Sequence, residues 1–200
     1  DRANDGLRVD GRELRCRVIG EGGNLGMTQR GRVEFCLRGG LCNTDFIDNA
    51  AGVDCSDHEV NIKILLNKQV AAGTIGVEER NTLLAAMTDD IATLVLDNNI
   101  RQTKAISLGM ARSQQHHSEY TRYLSWVEDT DQLDRDLEFL PSDDQLTDRT
   151  NRHQPSWTRP ELSVLICYSK VALKEALAES HLLADPWLAR SVTDYFPAEL

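Results

Sequence analysis

Nowhere in the 200 residues does an apolar run approach the roughly 20 residues that a helical bilayer crossing requires. The first residues, Asp1-Arg2-Ala3-Asn4-Asp5, also lack the apolar segment of a secretory signal, so a cytoplasmic, non-membrane protein is expected. Positive charge is scarce: 22 Lys and Arg stand against 32 Asp and Glu, and no basic stripe runs along the chain. A net charge of -10 argues against nucleic acid as a partner. The five cysteines, Cys16, Cys36, Cys42, Cys55 and Cys167, are odd in number, form no Cys-x-x-Cys pair and mostly sit in apolar runs, which suits free thiols rather than disulfides. Cys55-x-x-His58 alone is a poor zinc signature, and the acidic run Asp129, Asp131, Asp134, Asp136 lacks the glycine of a calcium loop, so no metal is expected. His116-His117 lies in a polar stretch and is expected to face solvent. There is no Gly-x-Gly-x-x-Gly fingerprint, no internal repeat, and no nucleophile-base-acid order.

What is present is 40% apolar content, enough for a sizeable core. Leu14 to Ile19 reads as a strand. From Gly31 to Asp48, the alternation of Val33, Phe35 and Leu37, the Gly39-Gly40 turn and the run Leu41 to Ile47 also read as β. Beyond Ser56 the pattern is helical: Asp57 to Val70, broken by Gly73 and Gly76; Glu78 to Asn99, on which Leu83, Leu84, Met87, Ile91, Leu94 and Val95 form one stripe; and Ser107 to Asp129. Leu133, Leu137 and Leu140 extend the apolar spacing to Pro141. Ser56-x-x-Glu59, Ser142-x-x-Gln145 and Thr158-x-x-Glu161 have capping-box spacing, the last with Pro160 in the first turn. Asp185-Pro186 opens a final helix.

Two stretches are suited to close approach by a ligand, Gly20-Glu21-Gly22-Gly23-Asn24-Leu25-Gly26 and Asn49-Ala50-Ala51-Gly52-Val53-Asp54-Cys55-Ser56. Glycine, alanine, asparagine and serine leave the backbone accessible or offer short polar groups. The first stretch is equally a plain tight turn, and in the second Ser56 is equally a simple N-cap. A helix start at Ser56 would also make an anion site.

Val18 to Thr28 and Asn43 to Lys63, quoted through their glycine and Asn-Ala-Ala-Gly-Val segments, closely resemble the large NAD-specific glutamate dehydrogenases of bacteria, and Thr158 to Leu165 is similar to a segment of that family's helical C-terminal region. The resemblance implies an α/β part leading into a mostly α part: the trailing strands of a Rossmann-like NAD-binding domain over 1–56, then a helical C-terminal region over 57–200 with a linker at about 151–157. It implies NAD as cofactor, with Gly22, Gly23, Asn24 and Asn49 on the cofactor side. L-glutamate and 2-oxoglutarate would be the ligands, with Val53 and Ser56 lining the substrate pocket, and a homo-oligomer is the expected assembly. The family's glycine fingerprint and its catalytic lysine and aspartate have no counterpart here, so no catalytic residue is expected in this chain, which reads as a C-terminal piece of a longer polypeptide. A rival expectation is a non-catalytic helical assembly module.

Overall fold

The structure, a computed structural model, describes residues 2–130 and 132–200; Asp1 and Asp131, the latter part of the acidic run, lie outside the described residues. Among those residues there is no strand, only an isolated parallel bridge between Val18 and Leu41. Ile19 N donates to Leu41 O at 2.9 Å and Leu41 N to Arg17 O at 3.0 Å, and the pairing stops there. The expected α/β, Rossmann-like architecture is therefore corrected: this is a helical region.

The physical reason is plainest in α1 (Gln29–Leu37). The alternation of Val33, Phe35 and Leu37 suggests a strand, but Thr28 caps a helix by accepting from Gly31 N at 3.1 Å. Arg32, Phe35 and Cys36 then fall at helical spacing on one buried face. Phe35, Cys36 and Cys42 form a small core against which Leu14, Ile19 and Met27 pack, so the apolar residues of the supposed first strand are used against a helix. The run Leu41 to Ile47 becomes the bridge residue and the short α2 (Asp45–Asp48).

The remaining helices are α3 (Ala50–Ala71), α4 (Val77–Ala86), α5 (Thr88–Ser113), α6 (His117–Asp129), α7 (Asp143–Asn151), α8 (Arg159–Ala178) and α9 (Pro186–Thr193). None of the described helices is long and apolar enough to cross a membrane. The chain divides into two compact units: residues up to Asn49 with Gln102–Leu173, and Ala50–Arg101 with Lys174–Leu200.

In the first unit Ile47, Ile106, Leu124, Val127, Leu146, Trp157 and Leu162 build the main core. Two caps hold its helices in place. Ser142 accepts from Gln145 N at 3.2 Å while Gln145 Oε1 accepts from Ser142 N at 3.0 Å. The fully buried Glu161 carboxylate takes Thr158 N at 2.8 Å and the Thr158 hydroxyl at 2.7 Å, and Arg149 grips it with two further bonds of 2.9 and 2.7 Å. In the second unit the first four residues of the expected stripe, Leu83, Leu84, Met87 and Ile91, share one core. Ile62, Leu66 and Met87 form this core with Leu83, Leu84, Ile91 and Phe196 packed around them.

Three boundaries differ from expectation. The helix expected over 78–99 breaks at Met87, which caps α4, and α5 then runs on through Asn98, whose side chain donates to Asp54 Oδ2 at 2.8 Å. The helix expected over 107–129 is interrupted before His117; His116 stands at the start of α6, with its ring 3.1 Å from Glu119 Oε1. Finally, α3 begins at Ala50, so Ser56 is an interior residue and not a cap.

Candidate functional site

The glycine loop is held from beneath by charge. Glu21 follows Gly20, and its N-H donates to Asp48 Oδ2 at 2.9 Å. Its own carboxylate turns inward, accepting from Met27 N at 2.9 Å and closing the loop on itself. Arg32 of α1 binds that carboxylate in bidentate fashion, Nε to Oε2 at 2.6 Å and Nη2 to Oε1 at 2.9 Å. Arg32 Nη2 also lies 3.2 Å from Asp45 Oδ1 of α2, whose other oxygen accepts from Leu25 N at 3.0 Å. All three side chains are buried, and two of the three carboxylates that orient loop amides, Glu21 and Asp45, share the same guanidinium.

The titration behaviour follows this arrangement. Burial pushes the Arg32 pKa down, but the Glu21 hydrogen bonds and the Glu21 and Asp45 charges outweigh it and leave Arg32 above its ordinary value. For Asp45, burial raises the carboxyl, yet the Leu25 N-H, the Arg32 charge and the Phe46 N-H bring it below the usual carboxylate value. Two backbone details complete the loop. Leu25 adopts φ 63°, a left-handed turn that aims its N-H at Asp45, and a Cβ on Gly26 would meet Glu21 Oε1 at 3.3 Å.

Above this support the rim is open. Gly22, Gly23 and Asn24 are exposed, and a Cβ at either glycine would meet nothing within 4 Å. Asn49, at the end of α2, donates from Nδ2 to Asn24 Oδ1 at 3.1 Å. This bond uses the carbonyl of one asparagine and the amide nitrogen of the other, leaving an amide donor on Asn24 and an acceptor on Asn49 at the rim. The four residues expected on the cofactor side thus lie on one loop and its neighbour within the first unit. Asn43 supports Asp48 through a 2.8 Å bond and is itself held by Arg159 Nε at 2.9 Å.

Val53 and Ser56 belong to the second unit, on α3, three residues apart and so on one face of the helix. Both are exposed, Val53 by 67%. The Ser56 hydroxyl donates to Gly52 O at 3.3 Å inside the helix, so any anion contact there rests on the hydroxyl and not on free helix-end amides. The buried Glu21, Arg32 and Asp45 were not among the expected site residues. Glu21 sits in the quoted glycine stretch, but only the helical spacing of Arg32 with Phe35 and Cys36 could have placed the arginine beneath it.

Among the described residues no group of three or more His, Cys, Asp or Glu could hold a metal ion. Asp129, Asp134 and Asp136 of the acidic run are exposed. The cysteines are free thiols, with Cys36 and Cys42 sulfurs 3.5 Å apart in the small core.

Known proteins share this chain's sequence over its whole length. It is 58% identical over all 200 residues to the NAD-specific glutamate dehydrogenase of Pseudomonas aeruginosa, 54% to that of Halomonas elongata and 43% to that of Mycobacterium tuberculosis. It spans only 12% of the length of each of these relatives. The family model for the glutamate dehydrogenase C-terminal region matches residues 155–200. The model for the catalytic domain of bacterial NAD-glutamate dehydrogenase matches residues 1–109, more than half of the chain, and the chain accordingly belongs to the bacterial NAD-glutamate dehydrogenase family.

Proposed function

We propose that this chain is part of an NAD-dependent glutamate dehydrogenase that oxidatively deaminates L-glutamate to 2-oxoglutarate and ammonium, and that it contributes binding surfaces while the proton-transferring lysine and aspartate come from the rest of the polypeptide. The observation that carries this reading is the Asn24–Asn49 hydrogen bond, which joins segments 25 residues apart on an open glycine rim. That rim is uncharged and offers a donor and an acceptor side by side. Such a surface fits the ribose hydroxyls and carboxamide of a nicotinamide nucleotide, and it does not fit a pyrophosphate, since the buried Glu21 and Asp45 beneath it are anionic.

The chemistry supplied by bound NAD is acceptance of a hydride from the substrate α-carbon. The residues of this chain bind and orient. Gly22 and Gly23 let the backbone approach, Asn24 donates, and Asn49 accepts. On α3 the Val53 methyls suit the methylenes of glutamate, and the Ser56 hydroxyl can leave its long bond to Gly52 O and donate to the side-chain carboxylate.

The test is a pair of variants in the full-length polypeptide. Asn49→Ala should raise the KM for NAD about tenfold, the loss of one hydrogen bond of ~1 to 1.5 kcal/mol, and leave the KM for glutamate within about twofold. Ser56→Ala should do the reverse. Equal changes in both constants for either variant would assign that residue a purely structural role.

A further inference from the structure

The arginines of this acidic chain form no stripe in sequence, yet five of them meet in space. α1 presents Arg30, Val33, Glu34, Leu37 and the capping residue Arg38 along the stripe next to its buried face, at the i, i+3, i+4, i+7, i+8 spacing of a single helix side. α7 and its flanks present Ser142, Gln145, Arg149 and Arg152 in the same way. Between these stripes, and floored by the turn that carries Phe139 and Pro141, lies a cavity of about 730 Å³, to which Arg12 is added from the N-terminal segment. The whole of it lies within the first unit.

The charges are unevenly satisfied. Arg149 is bound by Glu161, Arg12 lies 2.7 Å from Asp10 and Arg152 lies 2.9 Å from Asp148. Arg30 and Arg38 form no ion pair among the described residues, although the carboxylates of Glu34 and Asp136 also line the cavity, and Arg38 stands at a helix C-terminus, where the dipole favours positive charge. Arg30 lies instead over the Phe139 ring, 4.8 Å from its centroid. Phe139 has φ 54°, a left-handed conformation that bulky residues rarely adopt and that costs ~1 to 3 kcal/mol. The strain is held by Leu140 N donating to Arg135 O at 3.0 Å, and its result is a ring fixed against a guanidinium in the cavity lining.

We propose that this cleft is a binding site, separate from the glycine rim, for a small organic oxyanion: a phosphate or carboxylate group received by Arg30 and Arg38, with an apolar or ring-bearing body against Val33, Leu37 and Phe139. Guanidinium forks match both kinds of oxyanion, and the volume is that of a small-molecule pocket.

The test is calorimetric titration of the full-length polypeptide, with NAD and 2-oxoglutarate present so that the cofactor and substrate sites are filled. Inorganic pyrophosphate and tricarballylate are the two probes. One or both should bind, with affinity falling as salt rises, and the double variant R30Q/R38Q should weaken binding at least about tenfold while keeping the parent's glutamate-dependent NADH formation without probe. Binding of pyrophosphate alone would define a phosphate ligand, and of tricarballylate alone a carboxylate ligand. If neither binds, or if the variant binds as tightly as the parent, the cleft is not an anion site.

Discussion

Replacing Arg32 with methionine keeps much of the side-chain volume and removes the charge. The consequence follows from the burial of its partners. Glu21 and Asp45 would remain as two carboxylates with side chains only 7% and 11% exposed, each still tied to a loop amide but facing each other without the cation. Removing one member of a buried ion pair costs about 3 to 5 kcal/mol, because the charge left behind is neither solvated nor paired. If that cost is expressed as opening of the loop, it corresponds to roughly a hundred- to several thousandfold in the opening equilibrium. Hydrogen exchange of the full-length polypeptide, followed by mass spectrometry on peptides covering residues 21–27, reads this directly through the Leu25 and Met27 amides. The effect has a pH signature. In the parent the Asp45 pKa is depressed, so its stabilisation is present above the ordinary carboxylate pKa and is lost as pH falls through the folded value. In the variant Asp45 has lost the cation that helps to depress it and protonates more readily, so the gap between variant and parent should narrow as the pH is lowered below about 5. Unchanged exchange over residues 21–27 near neutrality, or a gap that does not depend on pH, would refute the argument that charge holds this loop.

Two further perturbations follow from the same structure. A Cβ on Gly40 would sit 2.4 to 2.6 Å from the buried Phe35 ring, so Gly40→Ala should destabilise the small core by about 1 to 3 kcal/mol in urea unfolding, and adding Phe35→Leu should recover part of the loss. Burial and the 2.8 Å hydrogen bond to Glu138 push the Tyr168 phenol up to about 12. Because the folded value is raised, the stabilisation is complete below the ordinary phenol pKa and is lost as pH climbs from about 10 to the folded value. Absorbance at ~295 nm should show that Tyr168→Phe removes a late-ionising component; loss of a component centred near about pH 10 instead would show that Tyr168 ionises normally.

How far the sequence revealed this molecule depended on how local each signal was. The caps at Ser142 and Thr158 and the start at Asp185-Pro186 could be read because each is decided within four residues, and Asp185 does accept from Trp187 N at 2.7 Å. The stripe from Leu83 to Val95 was legible for the same reason, although its break at Met87 was not. Ser56-x-x-Glu59 had equal spacing and failed, since the small residues from Ala50 onward already suit a helix and carry it past the serine. The strands failed for a different cause. Val33, Phe35 and Leu37 alternate, but what decides α1 is the burial of Arg32 against Glu21 and Asp45, partners 11 and 13 positions away. In the candidate site, the exposure of the small rim residues was legible, whereas the ionic support beneath them was not. A buried arginine and an exposed one look alike in a string of letters.

The anchoring of the glycine loop by Arg32, Glu21 and Asp45 also sets how the loop responds to heat. Apolar clusters such as Phe35 with Cys36 and Cys42 draw on a driving force that levels off on warming, while the cost of removing charged groups from water declines with temperature. Warming therefore shifts the balance of support from the apolar contacts under the loop toward its ions.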